Sequence, residues 1–151
     1  MKKITLLITV LISVLNINAQ NDLWPTDAIN TGSNATYVLV TNTDVTFDGQ
    51  DFVYGKLGAF YTNDNGELQN GGWILWNNAQ INFSVQGDDS TTPEKDGFAA
   101  GEEITWLATN DDGITSYIAS TEYLQGNDNY ATNEINIFSE FTISNTVYCV
   151  N

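Results

Sequence analysis

The chain has 151 residues, 19 Asp and Glu against four Lys and Arg, no His, and a formal net charge of −15. That length suits one domain with a real core. The shortage of cations excludes nucleic acids and anionic membrane surfaces as partners, because neutralising phosphate takes Lys and Arg. Without His there is no Ser-His-Asp triad, no Cys-His pair and no His-containing metal site.

The chain opens on a processing signal. Lys2 and Lys3 precede an apolar run from Ile4 to Leu15, and Ile17-Asn18-Ala19 offers a small residue for cleavage. This pattern reads as a secretory signal peptide over residues 1–19, with 20–151 as the mature domain. The alternative is an uncleaved anchor, but a spanning helix needs roughly 20 apolar residues. Export would leave Lys56 and Lys95 as the cations of the mature chain. Removing Lys2 and Lys3 takes the formal charge from −15 to about −17. Four Trp, seven Tyr and seven Phe supply core material that disordered chains lack.

After an irregular opening around Trp24 and Pro25, Ala35 to Thr41 is rich in β-branched residues and reads as a strand. Val45-Thr46-Phe47 is a short strand, and Asp48-Gly49 is a hairpin-type turn pair. Phe52 to Tyr54 reads as a further short strand. Lys56 to Thr62 alternates, and Asn63-Asp64-Asn65-Gly66 is a turn that tolerates left-handed backbone. Gly71-Gly72 precedes an apolar strand, Trp73-Ile74-Leu75-Trp76. Ile81, Phe83 and Val85 alternate with Asn82, Ser84 and Gln86, the mark of a half-buried strand.

A long polar loop follows, from Gly87 to Glu103. Strand patterns resume over Glu103 to Thr109, Ile114 to Ser120, Glu134 to Ser144 and Thr146 to Val150. No segment holds apolar residues at helical spacing for three turns. About nine short strands with Gly-, Asn- and Asp-rich turns predict an all-β fold, a single antiparallel β-sandwich of Ig-like or jelly-roll-like type. Half-polar strands suit antiparallel sheets with one wet face.

The chemistry that remains is limited. No Gly-rich loop opens a helix, so no nucleotide fingerprint exists. Asp88, Asp89, Asp96 and Glu102 are candidate ligands for a calcium ion, which takes six to eight oxygens. The alternative is that these acids cap turns by accepting backbone N–H bonds. EF-hand spacing is absent. Trp73 and Trp76 are candidate ligand-binding residues, because regular strand geometry places them on opposite faces and so leaves one outside. The alternative is that both pack. A hydrolase using two carboxylates meets its inventory but lacks any further signal. Cys149 is the single cysteine. It reads either as the buried apolar member of the Val147-Cys149 alternation or as an intermolecular disulfide.

One stretch carries a resemblance. Lys56-Leu57-Gly58-Ala59-Phe60, then Gly71-Gly72, then Gly87-Asp88-Asp89-x-Thr91-Thr92-x-x-x-Asp96-Gly97-Phe98-x-x-Gly101-Glu102-x-Ile104 resembles a module of exported proteins in Bacteroidetes-type Gram-negative bacteria. The similarity spans residues 34–110. It implies an extracellular β-rich module, often part of a larger surface protein, with no settled activity. Two positions depart from the pattern. Gln86 stands where an aromatic residue often precedes Gly-Asp-Asp, and Asn70 stands at the usual Cys.

The expectation is therefore a secreted, extracellular or cell-surface, non-enzymatic binding module. Its partner would be an extracellular protein or polysaccharide, with a structural Ca²⁺ in the acidic loop as an option. A structural subunit that self-associates through edge strands or Cys149 is the alternative. The small hydrolase is the least favoured.

Overall fold

The computed structural model describes residues 23–26, 30–110 and 113–149. The expected signal peptide over residues 1–19 lies outside the described residues. Eight strands run in chain order: β1 (Asn34–Phe47), β2 (Gln50–Asp51), β3 (Gly55–Thr62), β4 (Leu68–Trp76), β5 (Ile81–Gln86), β6 (Thr105–Thr109), β7 (Ser116–Gln125) and β8 (Ile135–Val147). No helix occurs among the described residues.

The strands join in one mixed sheet ordered β2-β1-β8-β7-β6-β3-β4, with β5 also paired to β1. The pairing thus draws a single sheet and not the expected two. It also corrects the expectation of purely antiparallel strands: β1 and β8 run parallel, from Thr36 opposite Ile135 to Phe47 opposite Ile143. Alternation along a strand reads the same in either orientation, so the pattern could not give the direction.

β1 serves two sets of neighbours. Its first half pairs with β5, from Asn34 opposite Gln86 to Leu39 opposite Ile81. Its second half pairs with β2, and the register with β8 slips between Leu39 and Asp44. Thr43 satisfies this irregularity. Its hydroxyl accepts from the Val40 N–H at 2.8 Å and donates to the Phe138 carbonyl at 3.0 Å. The β1–β2 turn has positive φ at both Asp48 and Gly49, as a tight hairpin requires.

The core is aromatic. Trp106 meets Tyr37 and Phe138 at 5.2 Å and Phe141 at 5.7 Å, in edge-on geometry each time. Edge-to-face pairs of this kind add to the burial of large apolar surfaces. A second small cluster forms around Trp24, Phe60 and Leu107. β4 and β5 pack closely without pairing: a Cβ built on Gly72 of β4 would lie 2.3 Å from the Ser84 carbonyl oxygen of β5.

Two local expectations change. Phe52 to Tyr54 is not a strand. The Trp76 indole N–H takes the Phe52 carbonyl at 2.6 Å, while Val53 and Tyr54 are exposed. Gly71-Gly72 lies inside β4 and not before it, with a register slip opposite Ala59 and Phe60. The slip leaves Gly71 against Phe98, whose ring would stand 2.4 Å from a Cβ at that position.

Candidate functional site

The long loop after β5 is held by its own backbone. Phe98 N–H donates to the Gln86 carbonyl at 3.0 Å, and Asp88 N–H donates to the Phe98 carbonyl at 2.9 Å. Between these anchors the acids act as acceptors. Asp88 Oδ1 accepts from Asp96 N–H at 3.0 Å, and Asp96 Oδ1 accepts from Asp89 N–H at 2.9 Å. Asp89 Oδ1 accepts from the N–H of Thr91 at 2.9 Å and from its hydroxyl at 2.7 Å. These bonds hold the Asp89 carboxyl below the usual carboxylate range, the backbone N–H having the larger effect.

Glu102 belongs to the other leg of the loop. Its Oε1 accepts from Lys95 Nζ at 2.7 Å and from Thr62 N–H at 3.2 Å, and its Oε2 accepts from Ala99 N–H at 2.8 Å. The loop therefore brings Asp88, Asp89 and Asp96 together through backbone donors and ties Glu102 to Lys95. Among the described residues no group of three acids, Cys or His is arranged to hold a metal ion. Carboxylate oxygens that accept backbone N–H bonds, and an ammonium group on Glu102, are the arrangement that turn capping produces.

The two tryptophans separate as their spacing predicts. Trp76 is buried in the main core. Trp73 is half-buried and packs against the Trp24 cluster, with Lys56 Nζ 4.9 Å from its ring centroid. Trp73 also lines an open recess of about 330 Å³ between β4 and β5. Such a volume falls at the lower end of small-ligand sites, roughly 300–1,000 Å³.

Asn70, Gly72, Phe83, Ser84 and Gln86 line the same recess. Asn70 is 5% exposed, and its side-chain Nδ2 has no hydrogen-bond partner among the described residues. An unmade bond at a buried amide costs free energy. Gln86 is also buried, and its Oε1 accepts from Thr31 N–H at 3.4 Å. The lining residues described carry no charge.

Sequence reasoning placed Trp73 here but not Asn70, Phe83, Ser84 or Gln86. Asn70 and Gln86 were visible only as the two departures from the family-like pattern. Their meeting in one recess required the contact between β4 and β5.

Cys149 corrects another expectation. It is exposed and lies beyond the end of β8, with Sγ 4.0 Å from the Val147 carbonyl. The alternation that would have buried it has already stopped.

No protein-family profile, curated protein or solved structure matches the chain.

Proposed function

We propose that this protein is an exported, non-catalytic binding module that takes an extracellular glycan in the recess between β4 and β5. The observation that carries the reading is the half-buried Trp73 indole on the wall of that recess, whose described lining carries no charge. Sugar rings present C–H faces that stack on an aromatic plane, and their oxygens pair with amide groups at the rim. The leader-like N-terminus and the resemblance to exported surface modules support the extracellular setting. The inventory supports the absence of catalysis: no His is present, and the loop carboxylates are engaged in backbone hydrogen bonds.

Affinity electrophoresis through gels cast with neutral polysaccharides tests this. The wild type is expected to be retarded by at least one polymer, and the Trp73→Ala variant to migrate freely. Equal migration of both proteins through every polymer would remove the proposal.

A second reading is assembly of copies. It is favoured by the exposed thiol of Cys149. Non-reducing electrophoresis of protein prepared without reductant reads it directly, as a band at twice the chain mass that Cys149→Ser abolishes.

A further inference from the structure

We infer that the outer face of β1, β8 and β7 docks a protein partner that presents Lys or Arg side chains beside an apolar patch. The residues that carry this face do not line the recess between β4 and β5, so the inference stands apart from the glycan reading.

The register of the sheet sets the face. Tyr37, Leu39 and Phe138 point into the core, so Val38 of β1 and its partner Ile137 of β8 point outward. Leu124 joins them from β7, between Tyr123 opposite Phe138 and Gln125 opposite Ile137. Leu124 is 62% exposed, and Ile135, one outward position before Ile137, is 52% exposed. None of these four side chains belongs to either buried cluster. Exposed apolar residues scattered singly need no explanation, but these are neighbours on three adjacent strands.

A row of carboxylates runs beside them. Asp44 of β1 stands opposite Glu140 of β8, and Glu140 stands opposite Glu122 of β7. All three are exposed, and Glu122 shares the outer face of β7 with Leu124. Neighbouring strands lie about 4.8 Å apart, and like charges set directly opposite one another destabilise a sheet. The row has no compensation within the chain. The loop carboxylates accept backbone N–H bonds, whereas no side-chain hydrogen bond or ion pair reaches Asp44, Glu122 or Glu140 among the described residues. Lys95 is engaged by Glu102, and Lys56 lies over the Trp73 ring.

The two rows together select the occupant. A second copy fits poorly. These rows contain no Lys or Arg, so a copy docked face to face would bury carboxylates without counter-charges. An anionic surface is repelled by the formal charge of −15. A basic protein surface with an apolar centre answers both rows. Its cations meet the carboxylates and relieve their repulsion, and its apolar side chains cover Val38, Ile137 and Leu124.

Two synthetic peptides serve as probes. One repeats Lys-Thr-Leu-Thr and the other Lys-Thr-Ser-Thr, so that an extended strand presents Lys with Leu, or Lys with Ser, on one face. Each is titrated into the isotope-labelled mature chain and followed by NMR at low ionic strength. The leucine peptide is expected to shift the amides of Val38, Ile137, Glu140 and Leu124, and to bind less tightly as salt is added. Glu122→Gln combined with Glu140→Gln is expected to weaken it by roughly three- to tenfold. Asp51→Asn combined with Glu94→Gln removes the same charge from exposed positions off this face, and is expected to weaken it by less than about twofold. Leu124→Ser is expected to weaken the leucine peptide and to leave the serine peptide unchanged. All the substituted positions are exposed, so the core is left intact.

Equal weakening by the two charge-matched pairs would mean that net charge alone attracts the peptide, and would overturn the inference. Equal affinity of the two peptides, shifts confined to other strands, or no binding at all would do the same. Sedimentation velocity reads the competing occupant: a dimer that Leu124→Ser dissociates would give the face to a second copy and overturn the inference.

Discussion

Phe98 stacks on Tyr130 with ring centroids 5.5 Å apart and planes 16° from parallel. The same ring meets Tyr61 edge-on at 5.5 Å and fills the space that Gly71 leaves open. The long acidic loop is thus pinned by one apolar plug. The polar residues around it shape the loop, and Phe98 attaches it to the core.

Phe98→Ala is therefore expected to cost about 3–5 kcal/mol, the range for truncating a buried phenylalanine to alanine. Urea denaturation followed by tryptophan fluorescence measures it. Thr91→Ala, in the exposed part of the same loop, removes the hydroxyl bond to Asp89 but keeps the backbone N–H bond, and is expected to cost only a small fraction of that. A Phe98→Ala cost no larger than that of Thr91→Ala would mean that the loop is held by its polar contacts instead.

Some of this fold can be read from residue order alone. Phe83 and Val85 are buried while Asn82 and Ser84 are exposed, as period-two alternation requires. Trp73 and Trp76 diverge because three positions along a strand change the face. The parallel pairing of β1 with β8 could not be read, because its partners lie about a hundred positions apart and alternation carries no direction. Phe52 to Tyr54 misled because aromatic composition favours a strand, whereas the decisive contact is the Trp76 indole on the Phe52 carbonyl. The candidate site was half legible. A tryptophan announces itself as a platform, but nothing local marks Asn70 as an amide that ends up buried without an acceptor.

Three tyrosines should resist alkaline titration. Burial pushes the Tyr61 hydroxyl up to about 12, helped by the negative charges of Asp96, Asp88 and Glu102. Burial raises Tyr37 and Tyr123 further in the same direction. The folded state keeps these protons where the unfolded chain would lose them. The stability they contribute is thus whole below the ordinary tyrosine value of 10.0 and is lost as pH rises from there through about 12. Tyrosinate absorbance is expected to rise in two stages, with the late stage coinciding with loss of the near-UV circular dichroism signal. A single early stage with the fold intact would mean that these hydroxyls are open to water.

The acidic loop should be insensitive to calcium if its carboxylates cap turns. A ligand bound only by the folded state raises the unfolding midpoint by mass action. Equal midpoints are expected in excess EDTA and in millimolar CaCl₂ at matched ionic strength. A calcium-dependent rise that Asp88→Asn and Asp89→Asn abolish would establish a cation site there. The pH response has a definite sign. The Asp89 carboxyl is lowered by its bonds to Thr91, so its contribution is present above the ordinary carboxylate value and fades as pH falls through the lowered one.

Gly72 sets how closely β4 and β5 approach. A Cβ there would stand 2.3 Å from the Ser84 carbonyl oxygen and 3.2 Å from the Val85 Cα, so the obstacle is backbone and cannot rotate away. Gly72→Ala must push β4 and β5 apart, and it is expected to cost about 1–3 kcal/mol, the range for overfilling a packed site. Gly66→Ala offers the contrast. Nothing lies within 4 Å of a Cβ at Gly66, but its φ of 81° is left-handed, so its cost is backbone strain of roughly 1–2 kcal/mol. The two variants are distinguished by where the damage falls. Gly72→Ala is expected to speed amide hydrogen exchange across β4 and β5 and to weaken glycan retention. Gly66→Ala is expected to leave both unchanged and to alter only the turn between β3 and β4. If Gly72→Ala leaves the exchange of β5 untouched, the packing of β4 against β5 does not depend on that contact.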